Sequence, residues 1–362
     1  LRKIAKESME EAKVFEVRMQ LESENKDYEE WRQSTNEKVK LTVSFDMGWS
    51  KRSSGHRYDS LSGHAFMVGC RSDMIVSAIV TAKECRICSY NEAQSKEPPP
   101  HDCPRNYSGS SKAMESDAAL NLYQSLFFDS KKKIVLKSIV SDDDSTMRAL
   151  LKHPKNHKSG KLHPEIHEPS WLADPSHRTK VVAKYIFALA MLPKSKSTCT
   201  KIDAVRFKKY FGYMLKTNRD RTIAEIKIAS LAVIEHLFDN HQYCDSRWCR
   251  PKRIIDVKKK ISVSKDDKKI EIKKKTLNEL KRTVQSFYRC KLKDSRLYQQ
   301  MREAYQPFTT EERLLESLHN YSTQKNEAMN NSVAKYAPKT RTYSTTMALT
   351  NRIMIAIGTC NF

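Results

Sequence analysis

With 362 residues, 39% of them hydrophobic, the chain can form one large domain or two ordinary ones and is too apolar for a disordered segment. Lys and Arg number 66 against 43 Asp and Glu, a formal charge of +23, which points to a polyanionic partner because each cation set on a phosphate releases a condensed counterion. Nine cysteines, an odd number in a large chain, argue against a secreted disulfide framework. The longest apolar run, around Tyr185 to Leu192, is too short to span a bilayer, and no signal peptide opens the sequence. The expectation is an intracellular, reducing compartment with no membrane partner, and the nucleus if the polyanion is DNA. Opening on Leu1 rather than Met, the chain reads as part of a longer reading frame.

In chain order, residues 1 to about 40 are charged, lack Gly and Pro, and read as a solvated helical segment without identifiable chemistry. From Leu41 the period changes: Leu41, Val43 and Phe45 alternate with Thr42, Ser44 and Asp46, the pattern of a half-buried strand. Strand-like runs follow at 62–70 and 74–81, with Gly48, Gly55 and Gly63 in or beside the turns. A Pro-rich, Cys-bearing loop (82–108) then leads to a helix over 113–128. The apolar run 134–140, bounded by lysines before it and by Asp142-Asp143-Asp144 after it, fits a buried central strand. Three strands, a helix and a strand is the order of a ribonuclease H-like core, expected over 41–181.

Beyond about Lys180 the pattern is helical, with Ile223, Ile226, Val233 and Leu237 on one helix face. Between Lys252 and Arg282 stand 13 Lys/Arg against 5 Asp/Glu, the most concentrated basic segment of the chain. The expected organisation is a helical insertion over 182–320, completion of the core over 321–348, and a C-terminal tail over 349–362.

Three carboxylates stand where such a core needs them. Asp46 and Asp142 are expected at the ends of adjacent strands, and Glu327 sits in a late polar helix. Hard divalent cations take oxygen ligands, and a pair of ions roughly 3.5–4 Å apart activates the attacking oxygen and stabilises the leaving one. Taken singly, an Asp at a strand end is as easily a turn or helix cap.

Two Cys/His sets have ligand-like spacing. Cys85-x2-Cys88-x12-His101-x-Cys103 offers four soft ligands in one short loop, enough to close a structural tetrahedral Zn²⁺ site. His236-x4-His241-x2-Cys244-x4-Cys249 is a second candidate zinc set with less regular spacing, in which His236 could instead lie on a helix surface. Cys70, Cys199, Cys290 and Cys360 are isolated and read as inert.

Several separated motifs resemble one family, over about Leu41 to Thr340. Val43-Ser44-Phe45-Asp46-Met47-Gly48-Trp49-Ser50-Lys51-Arg52 resembles the first catalytic motif of Mutator-like transposase domains. The block Cys85-Arg86-Ile87-Cys88 through Glu97-Pro98-Pro99 to His101-Asp102-Cys103 is similar to the same family, as is Asn106-Tyr107-Ser108-Gly109-Ser110-Ser111-Lys112-Ala113-Met114-Glu115. Ser141-Asp142-Asp143-Asp144-Ser145 resembles the second motif, and Asn326-Glu327 with Pro338-Lys339-Thr340 the third. The resemblance implies an α/β, ribonuclease H-like mixed sheet with a helical insertion before the last catalytic helix. It also implies an acidic triad holding Mg²⁺ or Mn²⁺, and cleavage and strand transfer of double-stranded DNA at transposon ends. A homo-oligomer stays open as a partner, because the sequence does not give the oligomeric state. The 185 residues from Asp142 to Glu327 leave room for that insertion.

Two departures leave alternatives open. The family's second motif usually has Gly between its aspartates; here Asp143 stands there, so Asp144 competes with Asp142 as the metal ligand. Where many Mutator-like enzymes carry Cys-x-x-His, this chain has Asp174-Pro175-Ser176-His177, which keeps only His177 to touch the scissile phosphate or to position a ligand. The rival reading is a domesticated transposase that binds DNA as a regulator without cutting it.

Overall fold

A computed structural model describes residues 2–50, 60–142, 149, 163, 165–263, 267–282, 288–341 and 343–361. The chain forms two compact units, residues 1–174 with 321–362, and residues 175–320.

The first unit opens with helix α1 (Arg2–Ser23) and the short α2 (Tyr28–Gln33), followed by β1 (Val39–Trp49), β2 (Ser62–Gly69) and β3 (Ile75–Ala82). Helices α3 (Arg86–Glu92) and α4 (Ser111–Asp129) lead to β4 (Ile134–Ser141) and β5 (Ser170–Ala173). The five strands make one mixed sheet in the order β3-β2-β1-β4-β5. β1, β2 and β3 pair antiparallel, while β1–β4 and β4–β5 pair parallel.

A parallel neighbour needs a crossover, and α4 supplies it. Ser110 caps its N-terminus, its side chain accepting from the Ala113 N–H. At its far end Lys131 and Lys132 take positive φ (54° and 65°) to turn the chain into β4. Alternation in β1 sorts the two faces of the sheet. Val39, Leu41, Val43, Phe45 and Met47 join α4 residues such as Met114, Leu122 and Phe127 in the larger core. Ser44 and Asp46 face the opposite way.

The N-terminal segment is not the solvated helix its charge suggested. α1 buries Ala5, Ala12, Val17 and Leu21. Small residues at a seven-residue spacing let a polar-looking helix approach closely, and this hides the buried face from a hydropathy reading. Glu16 is also fully buried, accepting from the Ser72 N–H at 2.7 Å and the Arg71 N–H at 3.2 Å, so its carboxylate holds the β2–β3 turn.

The second unit is helical: α5 (Pro175–Ala190), α6 (Lys201–Thr217), α7 (Ile223–Glu235), α8 (Arg250–Ser262), α9 (Asp267–Arg282), α10 (Ser295–Tyr305) and α11 (Glu311–Leu315). Thr200 with Asp203 and Thr222 with Glu225 form capping boxes that fix the starts of α6 and α7. Ile226, Val233 and Leu237 are buried beside Phe207, Phe211 and Met301 in this unit's own core. A buried ion pair, Arg178–Glu316 at 2.9 Å, ties α5 to the residues just after α11. The basic segment folds into the packed pair α8 and α9.

The chain then returns to the first unit as α12 (Gln324–Tyr336) and α13 (Ala348–Cys360). The expected C-terminal tail is this last helix. Leu349, Ile353, Ala356 and Ile357 form a buried i, i+4, i+7, i+8 stripe against Phe66, Val68 and Ile75 of the sheet.

Candidate active site and metal centres

Register places the first two carboxylates side by side. β1 and β4 pair up to Ser44↔Val140, two residues before Asp46 and Asp142. Paired residues of neighbouring strands share a face, so both carboxylates stand on the same face of adjacent strands, with strands about 4.8 Å apart. Asp46 is not at the end of its strand: β2 keeps pairing with β1 as far as Trp49↔Gly63 after the β4 ladder has stopped. Asp144 and Gly55 lie outside the described residues.

Helix α12 lies over these two carboxylates, held by three polar residues. Asn326 is fully buried; its carbonyl accepts from Ser44 Oγ at 2.6 Å, and its amide donates to the carbonyls of Phe66 (3.0 Å) and Ser44 (3.3 Å). Asn330 donates to Asp46 Oδ2 at 2.7 Å. Thr323 Oγ1 lies 3.4 Å from Asp142 Oδ1 and 3.3 Å from Asp174 Oδ2, so its one proton is shared between the two carboxylates. Thr323, Glu327 and Asn330 are spaced i, i+4, i+7, a single stripe of the helix. Glu327, in the first turn, falls between Thr323 and Asn330 along the helix, with its side chain exposed.

His64 fixes Asn330 in turn. Its Nε2 lies 2.9 Å from Asn330 Oδ1, and burial pushes its pKa down to about 4, so the ring is neutral at physiological pH. A neutral ring with Nε2–H donating to that carbonyl leaves the Asn330 amide to point at Asp46. The close approach requires Gly48 opposite His64, because a Cβ there would stand 2.3 Å from His64 Nε2 and 2.7 Å from Asn330 Oδ1. Next to this relay an open cavity of about 320 Å³ is lined by Trp49, His64, Asn330, Lys339, Arg341 and Tyr343.

A third aspartate, which the sequence reading did not single out, belongs to the same edge. β4 pairs with β5 up to Ser141↔Ala173, so Asp174 follows β5 as Asp142 follows β4. Asp174 is buried and accepts from the Thr323 N–H and the Ser322 hydroxyl, each at 2.8 Å, which anchors the start of α12. His177 lies in the first turn of α5, in the other unit.

Both Cys/His sets converge, the ligand atoms of each set all lying within 4.8 Å of one another. In the first, Cys85 and Cys88 Sγ lie 3.2 and 3.5 Å from His101 Nε2, and Cys88 Sγ lies 3.5 Å from Cys103 Sγ. His101 Nδ1 is 2.8 Å from the Pro99 carbonyl, a contact that leaves Nε2 as the ligand atom. Burial pushes the Cys85 thiol up, but hydrogen bonds from the Cys88 N–H and the His101 ring outweigh it and bring the pKa down to about 7. The loop rejoins the sheet edge through Asn106, which exchanges hydrogen bonds with Ala82 and Val80 of β3.

In the second set His236 Nδ1 lies 3.3 Å from Cys244 Sγ, and His241 Nδ1 lies 3.6 Å from Cys249 Sγ and 3.0 Å from His236 Nδ1. His236 faces this cluster from within the fold, and is not a surface helix residue. Asp239 Oδ1 sits 3.1 Å from His241 Nε2, the carboxylate–imidazole arrangement that orients a metal-binding His. Thiols and imidazoles at these separations suit a closed tetrahedral site, and both clusters could hold zinc.

A family model described as Mutator-like transposase matches residues 1–249. The chain belongs to that family. The match takes in Asp46, Asp142 and the first Cys/His set and ends on Cys249, the last member of the second; Glu327 lies beyond it. No curated protein and no solved structure matches the chain. Family membership makes this Mutator-like transposase chain a DNA-processing protein in general terms, and no helix among the described residues is long and apolar enough to cross a membrane.

Proposed function

We propose that the chain is the catalytic part of a cut-and-paste DNA transposase with a ribonuclease H-like core, in which Asp46, Asp142 and Glu327 hold divalent metal ions. The observation that carries this reading is the docking of α12: one helical stripe meets Asp142 through Thr323 and Asp46 through Asn330, with Glu327 between them. The strand order β3-β2-β1-β4-β5 and the helical unit placed between Asp174 and Tyr321 support it further.

The donors are all carboxylate oxygens, the ligand type that Mg²⁺ or Mn²⁺ prefers. When bound, such ions neutralise charge on the non-bridging phosphate oxygens and activate the attacking oxygen. The chain's own residues do the rest. Asn330, aimed by His64, holds the Asp46 carboxylate, and the Thr323 hydroxyl bridges Asp142 and Asp174. Asp174 keeps the first turn of α12 in place, so that Glu327 is presented on a fixed backbone. Lys339 and Arg341 line the adjoining cavity and suit the phosphates of a strand entering beside Asp46. His177 is a candidate for contact with the scissile phosphate, and Asp144 remains the rival to Asp142.

The test is cleavage of end-labelled transposon-end duplex in Mg²⁺ or Mn²⁺, with target DNA added to detect strand-transfer product. Nicking followed by transfer supports a transposase. Binding without nicking identifies a domesticated regulator, and nicking without transfer a metal-dependent nuclease of the same core.

A further inference from the structure

The helical unit contains an aromatic, basic cavity to which no role in the chemistry above falls. It measures about 570 Å³, within the roughly 300–1,000 Å³ range of ligand sites, and lies between α6, Trp248 and the start of α8. Trp248 stacks near-parallel on Tyr210 (centroids 5.7 Å, 27°) and on Tyr213 (6.3 Å, 23°), so the three rings form one stack in the cavity wall. Tyr213 is 37% exposed, at the rim rather than in the core.

Lys209, Lys216 and Arg250 line the same cavity, and among the described residues no carboxylate does. The nearby Asp245 is taken up by Arg247 and Arg221, each at 2.7 Å. Lys209 Nζ stands 5.7 Å from the centre of the Tyr213 ring, which brings a cation to the aromatic wall.

The second Cys/His set braces this wall from behind. His236 packs edge-on against Tyr210 (4.3 Å) and tilted against Trp248 (5.0 Å), and Cys249 directly follows Trp248. Cys249 Sγ also caps α8 by accepting from the Lys252 N–H at 3.3 Å. The cluster thus sets both the position of the Trp248 ring and the start of the helix that carries Arg250.

We propose that this cavity takes an unpaired nucleotide of single-stranded DNA, its base stacked on the exposed side of Tyr213, which Trp248 backs, and its phosphates on Lys209, Lys216 and Arg250. An exposed ring at the end of an aromatic stack offers a base a π-face without reading its identity, while the cations follow the backbone. A base inside a duplex is already stacked and cannot enter. The proposal rests on the reading of the chain as a DNA-processing protein, but not on its cleaving DNA.

The test is binding of an oligothymidylate of about 12 nucleotides, compared with a blunt duplex of the same length, by the zinc-loaded full chain. Tyr213→Ala and Trp248→Ala should each weaken single-strand binding about 10- to 100-fold and leave duplex binding within about twofold. Trp248→Phe should retain most of the affinity, and a 2-aminopurine placed in the oligonucleotide should be quenched by the wild type and not by Tyr213→Ala. Because Trp248→Ala removes a residue packed on the cluster, Tyr213→Ala at the rim decides if that variant loses its zinc or its fold. Asp46→Asn should bind the single strand as the wild type does, so loss of cleavage and loss of the pocket separate. Unchanged single-strand affinity in Tyr213→Ala, or equal loss for single strand and duplex, would overturn the proposal.

Discussion

Asn326→Leu removes the hydrogen bonds that seat α12 on the sheet while keeping the branched skeleton of the side chain. Asn326 makes three hydrogen bonds, to the Ser44 hydroxyl and to the carbonyls of Ser44 and Phe66, and is fully buried. At about 1 kcal/mol net for each bond, their loss costs about 3 kcal/mol. Leaving the Ser44 hydroxyl and two carbonyls buried without this partner adds about 1–3 kcal/mol. A total of about 4–6 kcal/mol is a shift of roughly 8–24 °C in melting temperature for a unit of this size. The loss should be concentrated where the helix docks. In native-state hydrogen exchange, α12 amides should lose protection while those of β1 keep theirs. Cleavage of labelled DNA should fall below detection, because Glu327 is carried on α12. A variant that melts within about 2 °C of the wild type would refute the account of the docking. One that melts early yet cleaves at the wild-type rate would remove Glu327 from the chemistry.

Other consequences are equally direct. Cys88→Ser should release zinc from the loop around α3 and leave the metal content of the His236 set unchanged, as measured by metal analysis of each variant; fully folded, zinc-free wild-type protein would contradict the site. His64 has its pKa lowered from 6.5 to about 4 by burial, so the unfolded chain binds the extra proton first as the pH falls. Stability is therefore complete above about pH 6.5 and is lost on acidification, by about 2 kcal/mol at pH 5 and about 3 kcal/mol at pH 4. Denaturant midpoints should show that slope, and His64→Gln should flatten it. Neutralising Lys273, Lys274 and Lys275 together should weaken binding to all DNA sequences and reduce the salt slope by about one unit per lost phosphate contact. Lys275 already lies 3.6 Å from Glu271, so a reduction nearer two units than three is expected. An unchanged slope would make the segment a solubilising surface, and a loss confined to transposon ends would make it a reader of bases.

Much of the sheet was legible because its strands announce themselves. The alternation in 41–46 and the apolar run 134–140 gave the two strands whose pairing brings Asp46 and Asp142 together. The two Cys/His sets were legible from spacing alone, since ligands held in a short loop or a helix turn have few ways to miss one another. The helices that cover the carboxylate face were harder to read. α1 buries alanines and a glutamate, and α13 follows a polar segment, so neither reads as core until the sheet supplies the surface they cover. The polar partners of the carboxylates were harder still. Asn326 and Asn330 flank Glu327 in a helix that looks solvent-facing; their role depends on contacts to β1 and β2 more than 250 residues away, which no local pattern encodes. Asp174 was hidden for the same reason, since its place beside Asp142 comes from the β4–β5 register. The i, i+4, i+7 stripe Thr323, Glu327, Asn330 is polar throughout, as a solvent-facing stripe is, so it gave no signal of its own.

The central claim is that three carboxylates from β1, β4 and α12 form one metal site. Mn²⁺ binding followed by electron paramagnetic resonance, in the zinc-loaded chain and in Asp46→Asn, Asp142→Asn, Asp144→Asn and Glu327→Gln, tests it most directly. The account predicts that Asp46→Asn, Asp142→Asn and Glu327→Gln each lose the bound Mn²⁺ signal together with DNA cleavage, while Asp144→Asn keeps both. Glu327→Gln that binds Mn²⁺ and cleaves like the wild type, or loss of both in Asp144→Asn with retention in Asp142→Asn, would contradict the site as drawn.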